Sequence, residues 1–406
     1  MPKLQEYLPI IGESRLDQLF KIARPLEGRV VQNINSTAVG GGVAEILTRM
    51  IPLFRELGID ARWDVIRGNE RFFAITKAMH NGLHGVPVEL SASDFEFFVE
   101  TGRANIEHVR PWGDIVFLHD PQPIALVEER GSDGRHWIWR CHIDFTAPQA
   151  DIWEFLQGYI RRFDAAVFSA PAFSRPLPIR QVLIAPSIDP LSDKNRDLTE
   201  SEISAVCNRF GLDRTRPIVS QISRFDFLKD PVGVIKAYKM AKKHVDCQLV
   251  LAGGGATDDP EGQKVLDEVR REAEGDSDIF VLFLPPASDL AINALQRASS
   301  VVLQKSLREG FGLTVAEALW KARPVIASAV GGIPLQITHK YSGILTHSIE
   351  GTAFWIKQLL NEPAYAAVLG QNGREHVRQN FLITRHIKDY ILLFLSLERP
   401  GDVIEL

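Results

Sequence analysis

Short runs rich in β-branched and aromatic residues alternate with longer segments of helical periodicity along the whole chain. This alternation is typical of an α/β protein whose parallel strands are joined by helices. Helices are predicted, for example, over Val43–Leu57 and Asp151–Phe163. In the first half the pattern predicts six strands: Gly28–Ser36, Ala61–Gly68, Asp114–Asp120, His136–Ile143, Ala165–Ala170 and Gln181–Ile188.

A second series of strands follows the segment Ala185–Asp197, whose Pro, Asp and Ser residues predict a linker. Asp230 suits an N-cap and Pro231 a first helical position, so a helix is predicted over Pro231–Lys243. Three helices are expected to end the chain, the last over roughly Arg385–Glu398. The five predicted strands of this half are Pro217–Ser223, Cys247–Gly253, Ile279–Leu284, Ser300–Gln304 and Pro324–Ser328.

Two aromatic pairs are assigned to the core. Trp137 and Trp139 lie two residues apart on one predicted strand and therefore share a face. Phe72 and Phe73 fall in a loop-like region, where they could also act as a lid.

The composition is that of a folded protein with more than one core. The chain has 406 residues, 45% hydrophobic and 24% charged, with a net charge of −5, which gives no reason to expect a nucleic acid or an anionic membrane as partner. Its three cysteines, Cys141, Cys207 and Cys247, form neither a metal-binding pair nor a disulfide framework. No apolar run is long enough for a membrane span and no signal-peptide core is present, so a cytoplasmic protein is predicted.

A glycine-rich turn, Gly40-Gly41-Gly42, joins the first strand to a helix. Glycines there let the backbone approach a ligand, and the helix amides favour an anion. The spacing resembles a dinucleotide fingerprint in which Glu45 replaces the last glycine, and Asp64 stands where a ribose-binding acid would. An NAD-dependent oxidoreductase is therefore one alternative, although Glu45 would obstruct helix packing and Asp64 lies inside its strand. A flexible turn without a ligand is another.

The most informative segment follows the strand Ser300–Gln304 and opens a helix. Glu309 falls on its entry loop and Glu317 about one turn into the helix, where carboxylates can accept hydrogen bonds from sugar and ribose hydroxyls. Backbone amides at this helix start can reach a diphosphate. The residues that provide them are Gly310, Phe311, Gly312 and Leu313.

Two cations, Arg224 and Lys229, lie in one strand-to-helix loop upstream and suit a leaving diphosphate. Taken alone, each could be a surface residue in an ordinary ion pair. Likewise, Glu309 could belong to a solvated face, and Glu317 could be an acid that the helix dipole favours. The joint occurrence of all four favours a binding site.

A resemblance to glycosyltransferase family 4 rests on the second half. The elements that carry it are Glu309 with Glu317, the Arg224…Lys229 loop, Pro324–Ala327 and Gly331-Gly332. The resemblance implies the GT-B fold: two doubly wound Rossmann-like domains, acceptor-side 1–195 and nucleotide-sugar-binding 196–380, facing a central cleft. Residues 381–406 would form a helix that packs back on the first domain. It also implies that Arg224 and Lys229 hold the donor diphosphate, with Gly41 and Gly42 at the donor, while Glu309 contacts the transferred sugar and Glu317 the ribose.

Further stretches in both halves resemble the trehalose-forming branch of that family, in which glucose passes from a nucleotide donor to free glucose. They are Asn35–Thr37 with Gly40–Glu45, His119–Pro123, Trp139–Asp144, Pro186–Ser192 and Asp258–Gly262. Many family members have an acid where this chain has Gln336, but the trehalose-forming branch shares the glutamine. Ala322-Arg323-Pro324 and His339–Gly343 also depart from the family pattern, which affects local loop shape.

The acceptor is predicted to lie at strand ends of the first half, where neutral His and Asp side chains can hydrogen-bond hydroxyls. The predicted acceptor residues are Glu45, His119, Asp120, Gln122, His142 and Asp144. Each histidine could instead be a core residue satisfied by backbone groups. The residues predicted to be catalytic are Arg224, Lys229, Glu309 and His142.

The expected mechanism is front-face transfer with retention, because no carboxylate is identified as a nucleophile on the opposite face of the sugar. No cofactor is required, and Mg²⁺ is expected at most to stimulate through the nucleotide phosphates. Asp276-Ser277-Asp278 has the Asp-x-Asp pattern of metal-dependent transferases but is interpreted as a solvated turn. A transferase with a sucrose-type or sugar-phosphate acceptor, a catalytically silent binding protein and a homo-oligomer all stay open.

Overall fold

The computed structural model describes residues 3–38, 41–254 and 260–399. Its contacts divide the chain into two compact units. Unit 1 runs up to Ser187 and resumes at Ile383, whereas unit 2 is Ile188–Leu382. The sequence prediction put the boundary later, at residue 195, because the polar segment before it was interpreted as a linker.

The strands in the described part of the chain form two parallel sheets of six strands each. Their bounds are β1 Val30–Asn35, β2 Asp60–Val65, β3 Ile115–His119, β4 His136–Arg140, β5 Ala165–Phe168, β6 Arg180–Leu183, β7 Ile218–Ile222, β8 Gln248–Gly253, β9 Ile279–Phe283, β10 Val301–Gln304, β11 Val325–Ser328 and β12 Ile344–Thr346. The eleven strands predicted from the sequence are all present. β12 was not predicted, because three residues give too short an alternation to recognise.

Helices connect the strands of both sheets. Their bounds are α1 Leu8–Ile11, α2 Glu13–Ala23, α3 Gly41–Glu56, α4 Glu70–Leu83, α5 Ala92–Val109, α6 Ala150–Ile160, α7 Glu200–Arg209, α8 Pro231–Lys242, α9 Pro260–Ala273, α10 Asp289–Ala298, α11 Leu313–Trp320, α12 Ile333–Gln336, α13 Ile349–Asn361, α14 Pro363–Asn380 and α15 Ile383–Glu398. The predicted start of α8 is confirmed, since the Asp230 side chain accepts a hydrogen bond from the amide of Gly233 and Pro231 begins the helix.

Unit 1 is built on the sheet β2-β1-β3-β4-β5-β6. Trp137 and Trp139 on β4 are fully buried, which confirms their assignment to the core. The last helix of the chain, α15, belongs to this unit and packs against α2 and α3. Phe394 on α15 contacts Phe54 of α3 and Phe117 of β3, with ring centroids 6.1 and 6.0 Å apart. The prediction that the C-terminal helix packs back on the first domain is therefore confirmed.

Unit 2 is built on the sheet β12-β11-β10-β7-β8-β9. β7 and β10 are adjacent and parallel, with Val301 opposite Val219. Because parallel strands end at the same edge of a sheet, the loop that follows β7 and the loop that follows β10 meet there. These two loops carry the charged residues singled out in the sequence.

The segment interpreted as a linker is packed rather than exposed. Asp189, Ser192 and Asn195 are buried. The Asn293 side chain on α10 donates to the carbonyl oxygens of Asp193 and Arg196, at 2.8 Å each. The linker prediction was wrong because proline and serine here make tight turns fastened to a helix, and local composition does not distinguish the two cases.

The prediction of a loop around Phe72 and Phe73 was also wrong, because both residues lie in α4. Asn69 caps this helix by accepting a hydrogen bond from the amide of Phe72. Phe72 is fully buried and stacks on Phe98 at 5.6 Å between ring centroids, whereas Phe73 is 41% exposed. No helix within the described ranges is long and apolar enough to cross a membrane.

Candidate active site

Glu309 lies on the loop between β10 and α11 and is buried. A single carboxylate oxygen, Oε2, accepts three hydrogen bonds: from Lys229 Nζ at 2.6 Å, Ser306 Oγ at 3.1 Å and Gln304 Nε2 at 3.2 Å. In the part of the chain that the structure describes, no group donates to the other oxygen, Oε1. Glu309 is therefore fixed through one oxygen and can use the other to accept from a hydroxyl.

The loops after β7 and β10 are joined by hydrogen bonds that involve their backbone groups. The Gln221 side chain donates to the carbonyl of Lys229 and accepts from the amide of Lys305, both at 2.9 Å. The amide of Leu307 donates to the carbonyl of Leu228 at 2.7 Å. These hydrogen bonds between the two loops explain why Lys229 reaches Glu309 although 80 residues separate them in sequence.

The structure brings Lys229 to Glu309 but does not place Arg224 in that contact. The Arg224 side chain is 63% exposed, and its guanidinium lies 3.6 Å from the carboxylate of Asp226. An exposed guanidinium on a weak ion pair can move to an anionic ligand at little cost. Arg224 and Lys229 thus share a loop but differ in how firmly they are held.

Glycines shape the entrance to α11. Gly312, the N-cap, has φ of +81° and caps no amide with a side chain, so the first amides of α11 can hydrogen-bond an anion. Gly331 has φ of +56°, and a Cβ there would lie 1.6 Å from the carbonyl oxygen of Glu309. The Gln336 side chain, fully buried, donates to the carbonyl of Phe311 at 2.5 Å. Gln336, which the trehalose-forming branch shares but many family members replace by an acid, therefore fixes this loop by donating a hydrogen bond that a carboxylate could not.

Glu317 lies one turn into α11, as predicted from its spacing, and its side chain is buried. Lys194 Nζ is 3.9 Å from Oε1, and Gln296 Nε2 is 3.4 Å from Oε2. Lys321 Nζ donates to the carbonyl of Glu317 at 3.1 Å and to Asn195 Oδ1 at 2.9 Å. Burial lowers the pKa of Lys321 to about 7, against the charge of Glu317, which raises it.

Lys194, Gln296 and Lys321 were not identified from the sequence. Lys194 stands in the segment interpreted as a linker, and its contact with Glu317 arises only from the packing of that segment in unit 2. Lys321 lies four residues after Glu317, one helical turn further along. This spacing was the available sequence signal for Lys321.

In unit 1, His119 ends β3 and His142 follows β4, the neighbouring strand. His119 Nδ1 is 3.2 Å from His142 Nε2, and His119 Nε2 is 3.0 Å from Asn33 Oδ1. His119 is buried with both ring nitrogens engaged, whereas His142 is partly exposed. Burial and, second, the charge of Arg140 lower the pKa of His119 to about 3 and hold that of His142 well below its usual value.

Asp120 follows His119 in a left-handed backbone conformation, with φ of +65°. Its Oδ1 accepts from the amide of His142 at 2.8 Å, and its carbonyl accepts from Trp139 Nε1 at 3.0 Å. Burial raises the pKa of Asp120 to about 6, although the hydrogen bond from His142 and the charge of Arg140 both lower it. The carboxyl group is thus a weak acid tied to the backbone of His142.

The other predicted acceptor residues are placed less closely together. Asp144 is buried and accepts from the amide and hydroxyl of Thr146. Gln122 is partly buried, and its Oε1 is a buried atom without a partner among the described residues. Glu45 lies on α3 with an exposed side chain.

Of the glycine-rich turn, Gly41 and Gly42 open α3, while Gly40 lies outside the described residues, as do Asp258 and Asp259 of one family-like stretch. Asp64 is the second-last residue of β2, and its carboxylate accepts from Gln32 Nε2 at 2.8 Å. That contact engages one oxygen of the acid on which the dinucleotide-binding alternative depended.

The Asp-x-Asp pattern is engaged in ion pairs. Asp276 binds Lys242 Nζ at 2.6 Å, and Asp278 binds both Lys242 at 2.8 Å and Arg216 at 2.6 Å. Hydrogen bonds from these cations hold the pKa of Asp278 well below its usual value. Within residues 3–38, 41–254 and 260–399, no cluster of three or more His, Cys, Asp or Glu side chains is arranged to hold a metal ion.

Comparisons with known proteins give consistent matches in both units. Residues 33–175 match the family described as "Trehalose synthase, N-terminal domain", and residues 207–376 match "Glycosyl transferases group 1". The chain is 44% identical to trehalose synthase from Rubrobacter xylanophilus over 405 residues, with 97% of each chain covered. It is 41% identical to trehalose synthase from Pyrococcus horikoshii over 403 residues, with 97% of this chain and 96% of the relative covered.

Among solved structures, the chain is similar to an α,α-trehalose-phosphate synthase (UDP-forming) from Burkholderia xenovorans. The TM-score is 0.73 at 15% sequence identity, and the match covers 91% of this chain and 100% of the other. Together with the two doubly wound sheets, this likeness confirms the GT-B fold predicted from the sequence.

Replacing Gly331 by alanine tests the close approach at Glu309. The new Cβ would overlap the Glu309 carbonyl, so the loop must shift, and we expect the Gly331→Ala variant to lose roughly 2–4 kcal/mol of unfolding free energy. Gly275→Ala is the matched control. Gly275 also has positive φ, +81°, but has no atom within 4 Å of the added Cβ, so only about 1 kcal/mol should be lost. Equal losses in urea unfolding of the two variants would show that the contact is unimportant.

Replacing Asp120 by asparagine tests the partly buried carboxyl group. Its pKa is about 6 in the fold against 3.8 ordinarily, so the fold favours the protonated form. The destabilisation by Asp120 is therefore absent below pH 4, grows as pH rises towards 6 and is complete above it. Because asparagine resembles the protonated acid and tolerates positive φ, Asp120→Asn should stabilise the protein by about 2 kcal/mol at pH 7.5 and by nearly nothing at pH 3.5. Urea unfolding across this range measures the difference, and a pH-independent difference would contradict the assignment.

Proposed function

The chain belongs to the trehalose synthase family, and on that premise we propose that it transfers glucose from a nucleoside-diphosphate-glucose, ADP-glucose or UDP-glucose, to free glucose. The α configuration of the donor is retained, so that the product is α,α-trehalose. The family membership makes the protein a trehalose-related glycosyltransferase. The choice of donor and acceptor and the stereochemistry are the proposal.

The contact between Lys229 and Glu309 beside the start of α11 carries the donor side of the proposal. Lys229 and the α11 amides can stabilise the negative charge that develops on the leaving diphosphate, and the exposed Arg224 can join them. Oε1 of Glu309, to which no described residue donates, accepts from a hydroxyl of the transferred glucose. Glu317, buried beside Lys194, accepts from the ribose hydroxyls.

On the acceptor side, the proposed residues favour an uncharged sugar. His119 and His142 are neutral because their pKa values are low, and the residue between them in this cluster is the weak acid Asp120. A phosphorylated acceptor would need a cation to bind its phosphate, and none of the six proposed acceptor residues supplies one at neutral pH. Free glucose, which offers only hydroxyls, matches this set better than a sugar phosphate.

The proposed reaction breaks the bond between C1 of glucose and the diphosphate oxygen and forms a bond from the acceptor hydroxyl oxygen to C1 on the same face. The acceptor proton passes to the leaving diphosphate oxygen, so no external base is needed. The residues of the chain hold the two partners and stabilise charge. Lys229 and Arg224 act on the diphosphate, and His142 with Asp120 orients the acceptor.

Product analysis by NMR tests the proposal directly. The purified protein is incubated with glucose and ADP-glucose, UDP-glucose or GDP-glucose, and in parallel with fructose or glucose 6-phosphate as acceptor. We expect α,α-trehalose and free nucleoside diphosphate with at least one donor, and no product with glucose 6-phosphate. A β-linked disaccharide would rule out retention. A product only with fructose or glucose 6-phosphate would show that free glucose is not the acceptor. In a separate thermal-stability measurement, stabilisation by NAD but by no nucleoside diphosphate would indicate the oxidoreductase alternative.

Replacing Lys229 by methionine tests the donor contact. The variant keeps an unbranched side chain one atom shorter but removes the cation, so kcat should fall about 100-fold and nucleoside diphosphate affinity about tenfold. Lys264→Met is the matched control, since Lys264 is an exposed cation on α9 of the same unit. It should leave kcat, affinity and melting temperature unchanged. Wild-type kcat in the Lys229→Met variant would remove Lys229 from the site.

A further inference from the structure

A chain of three hydrogen-bonded side chains in unit 1 begins at Asn33 in the middle of β1 and ends at the partly exposed His142. Asn33 is buried, and its Nδ2 donates to the carbonyl oxygen of Arg62 at 3.3 Å. A carbonyl oxygen can only accept, so this contact fixes which end of the Asn33 amide faces Arg62. The other end, Oδ1, therefore faces His119.

The orientation of Asn33 determines where the proton of His119 lies. Oδ1 of Asn33 only accepts, so His119 Nε2, 3.0 Å away, must carry the proton. His119 is buried and neutral, as its lowered pKa indicates, so its other nitrogen, Nδ1, has a lone pair and no proton. His119 is thereby an acceptor on the side that faces His142.

The same reasoning fixes His142. Its Nε2 lies 3.2 Å from His119 Nδ1, which has only a lone pair, so Nε2 must donate and carry the proton. A neutral imidazole has one proton, which leaves a lone pair on Nδ1 of His142. Among the residues that the structure describes, no group donates to this Nδ1, and the backbone amide of His142 is held by Asp120 at 2.8 Å. The ring is thus fixed in position and in tautomer.

We propose that Asn33 is a positioning residue that sets the tautomer of His142 through His119, so that His142 Nδ1 accepts a hydrogen bond from a hydroxyl of the acceptor sugar. The acceptor part rests on the proposed function, whereas the tautomer rests on the hydrogen bonds alone. The opposite tautomer of His142 would present an N–H to the sugar. It would then require a hydroxyl oxygen as its partner and turn that hydroxyl the other way.

We call the hydrogen-bonded chain from Asn33 through His119 to His142 the relay. Asn33→Asp changes one heavy atom and is expected to reverse the direction of the hydrogen bond between the two histidines. A carboxylate beside His119 Nε2 favours a proton on both nitrogens of His119, because the imidazolium gains an opposite charge. His119 Nδ1–H then donates to His142 Nε2, and the proton of His142 moves to Nδ1. We expect kcat to fall at least about tenfold, which corresponds to one lost hydrogen bond, with the donor KM within about twofold of wild type.

Asn105→Asp is the matched control. Asn105 on α5 of the same unit is equally buried and also uses its amide to bridge backbone groups, those of Arg67 and Thr101, away from the histidines. Its variant pays the same penalty for a buried carboxylate but should keep the wild-type kcat. Comparing the two variants at equal unfolding free energy separates the relay from a general loss of stability.

Long-range ¹H–¹⁵N NMR of ¹⁵N-histidine-labelled protein reads the tautomers without any activity measurement, with His142 assigned from the His142→Gln spectrum. The expected wild-type result is a proton on Nε2 of both His119 and His142, with the His142 proton moved to Nδ1 in Asn33→Asp. A wild-type His142 protonated on Nδ1 overturns the relay. A moved proton with unchanged kcat overturns its role in the reaction. If the wild type forms no disaccharide but shows the expected tautomers, the proposed function fails and the relay stands.

Discussion

The ion pair between Lys229 and Glu309 is the constraint on which the arrangement of unit 2 depends. It joins the loop after β7 to the loop after β10. Because those strands are neighbours in the middle of the sheet, the pair lies at the centre of the edge where the strands end. Glu309 could not hold this position without close backbone contacts. Its carbonyl lies where any Cβ at Gly331 would have to be, and Gln336 holds the carbonyl of Phe311 two residues along. The charge pair thus requires glycine and glutamine at specific positions behind it.

A similar dependence holds in unit 1, where the organising charge is a buried arginine. Arg140 is fully buried, and only its Nη2 has a partner among the described residues, the hydroxyl of Ser169 at 3.1 Å. Its charge adds to burial in lowering the pKa of His119 and His142. A cation enclosed beside imidazoles keeps them neutral over the physiological range. The histidines can then act through fixed N–H groups and lone pairs rather than through charge.

The strands, their order along the chain and the placement of the charged residues after β7 and β10 could be predicted from the sequence because they depend on local patterns. Alternation of residue types marks a strand, and the spacing of Glu309 and Glu317 places one on a loop and the other on the helix that follows. What was missed depends on tertiary packing. Lys194 approaches Glu317 because the segment after Ser187 folds onto α10, and nothing within that segment indicates it. The role of Asn33 is a partial exception, since an amide inside an otherwise buried strand must find partners.

The two units differ in the charge of the side chains proposed to bind substrate, and the difference agrees with the chemistry of the proposed transfer. In the proposed reaction a leaving diphosphate gains negative charge as the bond to C1 breaks, so it would benefit from fixed cations and helix amides such as Lys229 and the start of α11 in unit 2. An acceptor sugar is neutral until it reacts, and a charged residue beside it would have to be desolvated without gaining an opposite charge. In unit 1 the two histidines proposed to face the acceptor avoid that cost, because both are neutral. Fixed cations for an anionic donor and neutral histidines for an uncharged acceptor are therefore the combination that the proposed reaction requires of the two domains.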